Sequence, residues 1–274
     1  MFNQLEIISK AQNKKLELLR EYLKNLKKTC IAYSGGVDST LVATIAYEQL
    51  KEKAIAITGV SPALSKQLLN EARTQAKWIG IKHLEIKTFE LNDQKYSNNP
   101  KDRCFACKRE LHKQTNHIKT KLDFKNILDG VNLDDLSDYR PGIEAAKNAG
   151  VISPLALFQF SKKDIRDISK SLGLPWWDKP AQPCLSSRFP YGDKITLKRL
   201  KMIEEAEEYI KKFGVSEVRV RCQGSSARIE IPSNQIQQFV KIYKRQELLN
   251  FFFKLGFKSA SLDLEGLVSG KLNR

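Results

Sequence analysis

One short segment constrains this chain more than any other. The apolar run Thr29-Cys-Ile-Ala-Tyr33 breaks into Ser34-Gly-Gly-Val-Asp-Ser-Thr40 and resumes as the helical stretch Leu41-Val-Ala-Thr-Ile-Ala-Tyr-Glu-Gln-Leu50. Adjacent glycines interrupt a strand and free the backbone for a tight turn. The segment therefore reads as strand, glycine turn, helix. The alternation continues with strands predicted at 54–58, 83–87 and 126–130 and helices at 65–80 and after Cys104. Strands and helices in that order imply a parallel sheet covered on both faces.

Upstream, Leu5, Ile8, Leu16, Leu19, Tyr22, Leu23 and Leu26 recur at helical spacing between lysines, predicting one or two amphipathic helices. Downstream, a helix predicted over 161–172 stops at Gly173, and the proline-punctuated loop 174–183 follows. From there the order changes to a helix at 196–213, strands at 217–222 and 227–231, helical segments over 233–252 and a last strand at 259–264. The expected organisation is an α/β domain over 1–190 and a smaller C-terminal α+β domain over 191–274.

Composition bounds the function without choosing it. Lys+Arg 47 against Asp+Glu 31 gives +16, a charge that attracts nucleotides, pyrophosphate or RNA alike. The lysines are scattered rather than gathered in one basic block, so a solvated lysine-rich surface explains the charge equally well. No apolar run approaches the roughly 20 residues that span a bilayer, and the polar start does not read as a secretory signal. The expected location is the cytoplasm. Five cysteines, an odd number, predict reduced thiols, some with metal or catalytic roles and the rest in the core.

The glycine turn lies at the carboxyl end of a strand and the amino end of a helix, where open α/β sheets bind ligands. Its backbone N–H groups, the Ser34 and Ser39 hydroxyls and the helix dipole suit an anion, and Asp38 suits Mg²⁺ on phosphates. Neither the Walker pattern nor the dinucleotide fingerprint is present. Instead S-G-G-x-D-S after a first strand resembles the PP-loop of the ATP pyrophosphatases, with their adenine nucleotide alpha hydrolase-like sheet. Three further segments narrow the resemblance: Arg103-Cys-Phe-Ala-Cys-Lys108, Asp129-Gly-Val-Asn-Leu-Asp-Asp135 running to Asp138-Tyr-Arg-Pro-Gly142, and Asp178-Lys-Pro-Ala-Gln-Pro-Cys-Leu-Ser-Ser-Arg-Phe-Pro-Tyr-Gly192. With the closing Leu262-Asp-Leu-Glu-Gly266 and Ser269-Gly270, they are similar to the LarE family of sulfur transferases. Leu267 and the terminal Lys271-Leu-Asn-Arg274 depart from the family, which more often has an aromatic residue and an acidic end there.

The resemblance implies adenylation of a carboxylate of pyridinium-3,5-biscarboxylic acid mononucleotide, then displacement of AMP by sulfur to give a thiocarboxylate for the nickel-pincer nucleotide of lactate racemase. It assigns ATP and Mg²⁺ to Ser34, Gly35, Gly36, Asp38, Ser39, Thr40 and Gly130. The implied partners are the small-molecule mononucleotide, other proteins of nickel-pincer nucleotide synthesis and further copies of this chain. In some members the cysteine matching Cys184 gives up its own sulfur, and in others three cysteines carry a cluster.

Cys104 and Cys107, at i and i+3 where a helix begins, share one face beside Arg103 and Lys108, a setting that favours thiolates. Cys184 sits between Pro183 and Arg188. Three such thiolates suit a [4Fe–4S] cluster with one open iron, whereas Cys30 and Cys222 read as core residues. Arg219 and Arg221, on one strand face, either clamp a substrate phosphate or lie solvated, and Arg188 is a further candidate binding residue. Glu230 and Asp263 match acidic positions in the family's C-terminal domain and either bind metal, orient substrate or form surface salt bridges. Asn132, Asp134, Asp135 and Arg140 either reach the nucleotide or cap a helix, and Trp176 and Trp177 either stack on a pyridinium ring or pack the loop. His83, His112 and His117 have no metal-ligand or triad spacing. The rival readings are a PP-loop tRNA thiolase, which lacks a recognisable RNA-binding appendage here, and a non-enzymatic metal- or nucleic-acid-binding module.

Overall fold

The structure, a computed structural model, describes residues 5–137, 140–268 and 271. The chain forms two compact units, Met1–Glu90 with Asp102–Gln182 and Leu91–Lys101 with Pro183–Arg274.

The first unit is built on four parallel strands, β1 (Thr29–Ala32), β2 (Ala54–Val60), β3 (Lys82–Lys87) and β4 (Asn126–Leu128), in the order β3-β2-β1-β4. Thr29 pairs with Ala54 on one side and Asn126 on the other, so β1 is central and all its residues are buried. Its two faces serve separate cores. Ile31 joins Leu16, Leu19 and Leu23 of α1 (Lys10–Asn25), Leu41 and Ile45 of α2 (Val37–Leu50) and Ile165 and Ile168 of α8 (Lys162–Ser171). Cys30 joins Ile55, Ile57 and Ile127 on the other face, with Ile118 of α5 (Arg103–Lys121) packed against them. An inner strand wrapped this way has to be apolar throughout, which is why β1 reads as a continuous run rather than an alternation.

Helix ends follow local chemistry. Ser65 caps α3 (Lys66–Ile79) through the Leu68 N–H, and Gly80 ends it in the left-handed conformation at φ +84°. Ser161 and Asp164 form a reciprocal capping box on α8. The chain also forms α6 (Pro141–Asn148) and α7 (Pro154–Leu157), which the periodicity did not predict.

The second unit holds α4 (Gln94–Ser97), α9 (Leu197–Lys211), α10 (Ile236–Ile242) and α11 (Arg245–Leu255) with strands β5 (Arg219–Gln223), β6 (Ser226–Glu230) and β7 (Ser259–Leu262). β5 and β6 form an antiparallel hairpin around Gly224, and β7 adds parallel to β6. The predicted helical segments over 233–252 are a 3₁₀ turn and two helices, α10 being followed by Tyr243 with extended backbone. Among the described residues no helix is long and apolar enough to cross a membrane.

Candidate functional site

The phosphate-loop geometry follows from β1 and α2. Tyr33 extends the strand pairing by donating its N–H to the Ile57 carbonyl at 2.8 Å, and the chain then turns through Gly35 at φ +69°. A Cβ at Gly35 would lie 3.0 Å from the Ala72 Cα, so α3 approaches too closely for a side chain. No side chain caps α2, whose N-cap is Gly36, leaving the N–H groups of its first turn to an incoming anion. Ser39 Oγ meets the Ser34 N–H at 3.2 Å, the Gly36 carbonyl at 3.1 Å and Ser34 Oγ at 3.1 Å, which holds the turn in shape. Behind it, the Thr40 and Tyr33 hydroxyls both donate to the buried Gln75 Oε1. Gly130 closes the far side: a Cβ there would stand 2.6 Å from the Ser39 nitrogen. These contacts bring together the predicted Ser34, Gly35, Gly36, Ser39, Thr40 and Gly130.

Asp38 lies at the centre of a converging set. Lys162 Nζ donates to both of its oxygens at 2.7 and 2.5 Å, and Asn132 Nδ2 donates to Oδ1 at 3.2 Å. The Lys162 N–H in turn donates to Asp134 Oδ2, while Asp135 bonds the Asn132 backbone and pairs with Arg140. The acidic loop after β4 thus shapes the surroundings of Asp38, as well as making local caps. Sequence reading missed two lysines. Lys162 opens α8 one residue after its cap, and Lys179, in the quoted 178–192 run, meets Glu71 at 2.6 Å and donates to the Gly35 carbonyl at 3.1 Å. Trp176 packs edge-on against Trp78, and Lys170 lies over the Trp177 ring, so both indoles have protein partners.

The cysteines divide by burial. Cys30 and Cys222 are fully buried, as expected of core residues; burial pushes the Cys30 thiol up to about 12 and raises Cys222 as well. Cys104 is exposed and Cys107 half-buried on the opening turns of α5, and Cys184 is half-buried. Among the described residues no group of three or more His, Cys, Asp or Glu side chains is arranged to hold a metal ion. His112 is buried on α5 with neither ring nitrogen hydrogen-bonded, and burial, then the Lys108 charge, pushes it down to about 4.

In the second unit Cys184 leads into a 3₁₀ turn, Leu185–Arg188. Arg188 bonds the Pro183 carbonyl at 2.9 Å and pairs with Glu207 at 2.8 Å. Burial works against its charge, but Glu207 outweighs burial and holds the guanidinium above its usual pKa. Arg221, expected to share a strand face with Arg219 and there either clamp a phosphate or lie solvated, is buried, paired with Glu230 at 2.9 Å and bonded to the Ser187 carbonyl at 2.7 Å. Arg219 is half-buried and has its pKa lowered by burial and by the charges of Arg188 and Arg221. Unlike Arg221, it has no ion-pair partner among the described residues, which leaves it the better placed of the two to receive an anion. Glu230 is fully buried between Arg221 and Arg228, and Asp263 faces Arg228 and Lys271. Burial alone would raise the Asp263 pKa, but the Lys271 ammonium and Arg228 hold it down. Both carboxylates therefore serve salt bridges here, and metal binding would require those cations to withdraw. Asp138, Tyr139, Ser269 and Gly270 of the quoted segments lie outside the described residues.

Comparison with known proteins agrees with this arrangement. Residues 11–121 match the family model for NAD synthase. An uncharacterized protein of Synechocystis is 53% identical over 95% of this chain and 97% of its own length. An uncharacterized Methanocaldococcus jannaschii protein is 34% identical over 90% of this chain and 93% of its own. The pyridinium-3,5-bisthiocarboxylic acid mononucleotide synthase of Lactiplantibacillus plantarum is 34% identical over 92% of this chain and 91% of its own. Identity at that level along nearly the whole of both chains, over a PP-loop on a parallel sheet, shows that this chain belongs to the LarE family of PP-loop ATP pyrophosphatases.

Proposed function

We propose that the protein is an ATP-dependent sulfur transferase that converts a carboxylate of pyridinium-3,5-biscarboxylic acid mononucleotide to a thiocarboxylate for nickel-pincer nucleotide synthesis. The observation that carries this reading is the uncapped start of α2, framed by Ser34, Gly35, Gly36 and Gly130 at the end of the central strand. The pyridinium-3,5-bisthiocarboxylic acid mononucleotide synthase of Lactiplantibacillus, as a relative, supports the substrate.

A carboxylate is a poor electrophile, and adenylation corrects that. Its oxygen attacks the α-phosphorus of ATP, the bond to the bridging oxygen breaks, and pyrophosphate leaves. The N–H groups opening α2 and the Ser34 and Ser39 hydroxyls stabilise the departing charge. Asp38 would hold Mg²⁺, which neutralises phosphate charge when bound. Lys162, now on Asp38, would then turn to the phosphate oxygens. Arg219, with Arg188 beside it, receives the phosphate of the mononucleotide. Sulfur attacks the activated carbonyl and AMP departs.

Cys104, Cys107 and Cys184 would hold a [4Fe–4S] cluster, the donor set fitting in kind because these three thiols lie outside the cores that bury Cys30 and Cys222. Such a cluster supplies an open iron for an extra sulfide. The second route uses Cys184 alone. Its Sγ displaces AMP to form a thioester, then loss of the Cα proton and cleavage of the Cβ–Sγ bond leave dehydroalanine and the thiocarboxylate.

The test is pyrophosphate release from ATP. Release dependent on the pyridinium dicarboxylate nucleotide is expected; stimulation by tRNA and none by that nucleotide would sink the proposal. Iron and acid-labile sulfide after anaerobic purification, with Cys107→Ala alongside, separate the two sulfur routes.

A further inference from the structure

We propose that Tyr96 is a positioning residue for the Cys184 thiol, acting through the hydroxyl of Ser186; the inference rests on the sulfur-transfer reading above. Residues 91–101 pack with the second unit although the residues on either side of them belong to the first. That excursion is stitched to the loop after Cys184. The Tyr96 hydroxyl lies 2.5 Å from Ser186 Oγ, Asn99 Nδ2 donates to the Pro190 carbonyl at 2.6 Å, and the Gly192 and Ile195 N–H groups donate to the Asn99 and Ser97 carbonyls.

The loop is buried on both sides of Ser187. Leu185, Ser186, Arg188 and Phe189 are buried, whereas Cys184 is half-buried. From inside, Arg188 grips the Pro183 and Cys184 carbonyls and Arg221 grips that of Ser187. Those bonds use carbonyl oxygens, which any residue in the loop would supply. The Tyr96–Ser186 bond depends on side-chain identity at both ends and lies two residues from Cys184. A fully buried serine hydroxyl needs an internal partner, and Tyr96, itself 2% exposed, supplies it. Displacing a reacting group by about 1 Å can cost on the order of a hundredfold in rate, so fixing this turn governs how often the thiol meets an activated carbonyl.

The experiment compares the full-length wild type with Tyr96→Phe, Ser186→Ala and the double variant. Two quantities are read on each: pyrophosphate released from ATP with the pyridinium dicarboxylate nucleotide, and thiocarboxylate formed, by mass spectrometry. Each single variant is expected to lower thiocarboxylate formed per pyrophosphate released about tenfold, and the double variant no further. An unchanged ratio in Tyr96→Phe, or factors that multiply in the double variant, would overturn the inference. If the wild type releases no pyrophosphate with that nucleotide, the proposed function fails instead. Alkylation of Cys184 by iodoacetamide, mapped by peptide mass, then decides the positioning role. A several-fold change in Tyr96→Phe with Cys104 labelling unchanged supports it, and equal Cys184 rates refute it.

Discussion

The two units hold their functional loops by opposite means. In the first, the turn at 34–36 is shaped by backbone: a positive φ at Gly35, an uncapped helix start and close approaches at Gly35 and Gly130 that no side chain would survive. In the second, the turn after Cys184 is shaped by buried charge, with Arg188 on Glu207 and Arg221 on Glu230. A backbone cradle leaves its N–H groups available to a ligand. A guanidinium brace spends its donors on the protein, whereas Arg219 has no ion-pair partner among the described residues. On the proposed function the first loop receives an anion and the second holds a thiol still.

This contrast is open to attack at several points. Glu230→Ala strands the Arg221 guanidinium in the interior without its carboxylate and should cost about 3–5 kcal/mol, the range for breaking a buried ion pair, read as a lowered chemical-denaturation midpoint. A small shift would mean that the brace is dispensable. The first unit should show its weakness in acid instead. His112 is held down to about 4 in the fold against 6.5 when exposed, so the unfolded chain binds the extra proton first. Stability is retained above about pH 6.5 and falls by roughly 3 kcal/mol as pH drops through 4, and His112→Leu should flatten that dependence. Gly130→Ala drives a Cβ against the Ser39 backbone and should weaken ATP binding at least tenfold by calorimetry, or about 1.4 kcal/mol, without touching the Cys184 turn. Lys163→Ala removes only an exposed ion pair with Asp167 and should leave the denaturation midpoint where it was.

Legibility in the sequence follows the same divide. The β1–α2 turn was readable because glycine, serine and the strand–helix context lie within twelve residues and each acts locally. Cap chemistry likewise marked the ends of α3 and α8 through Ser65, Gly80 and Ser161. Burial of Arg221 was not readable: its partner Glu230 sits across the hairpin, and strand alternation says only that it shares a face with Arg219. Lys162 and Lys179 were missed because a lysine in a lysine-rich chain carries no pattern, and their roles depend on Asp38 and Glu71 from distant segments. The 91–101 excursion was missed for a related reason. Its apolar content is low, and what fixes it are long-range bonds to Ser186 and Pro190.

That excursion also decides how the gene can be cut. The chain passes between the two units three times, after Glu90, Lys101 and Gln182, so no single break in the coding sequence separates them. A product ending at Gln182 would keep Tyr96 and Asn99 but lose Ser186 and Pro190, leaving an orphaned segment in the middle of the nucleotide-binding half. Expression of either half alone, or its recombination with a foreign partner at one junction, should yield aggregated protein.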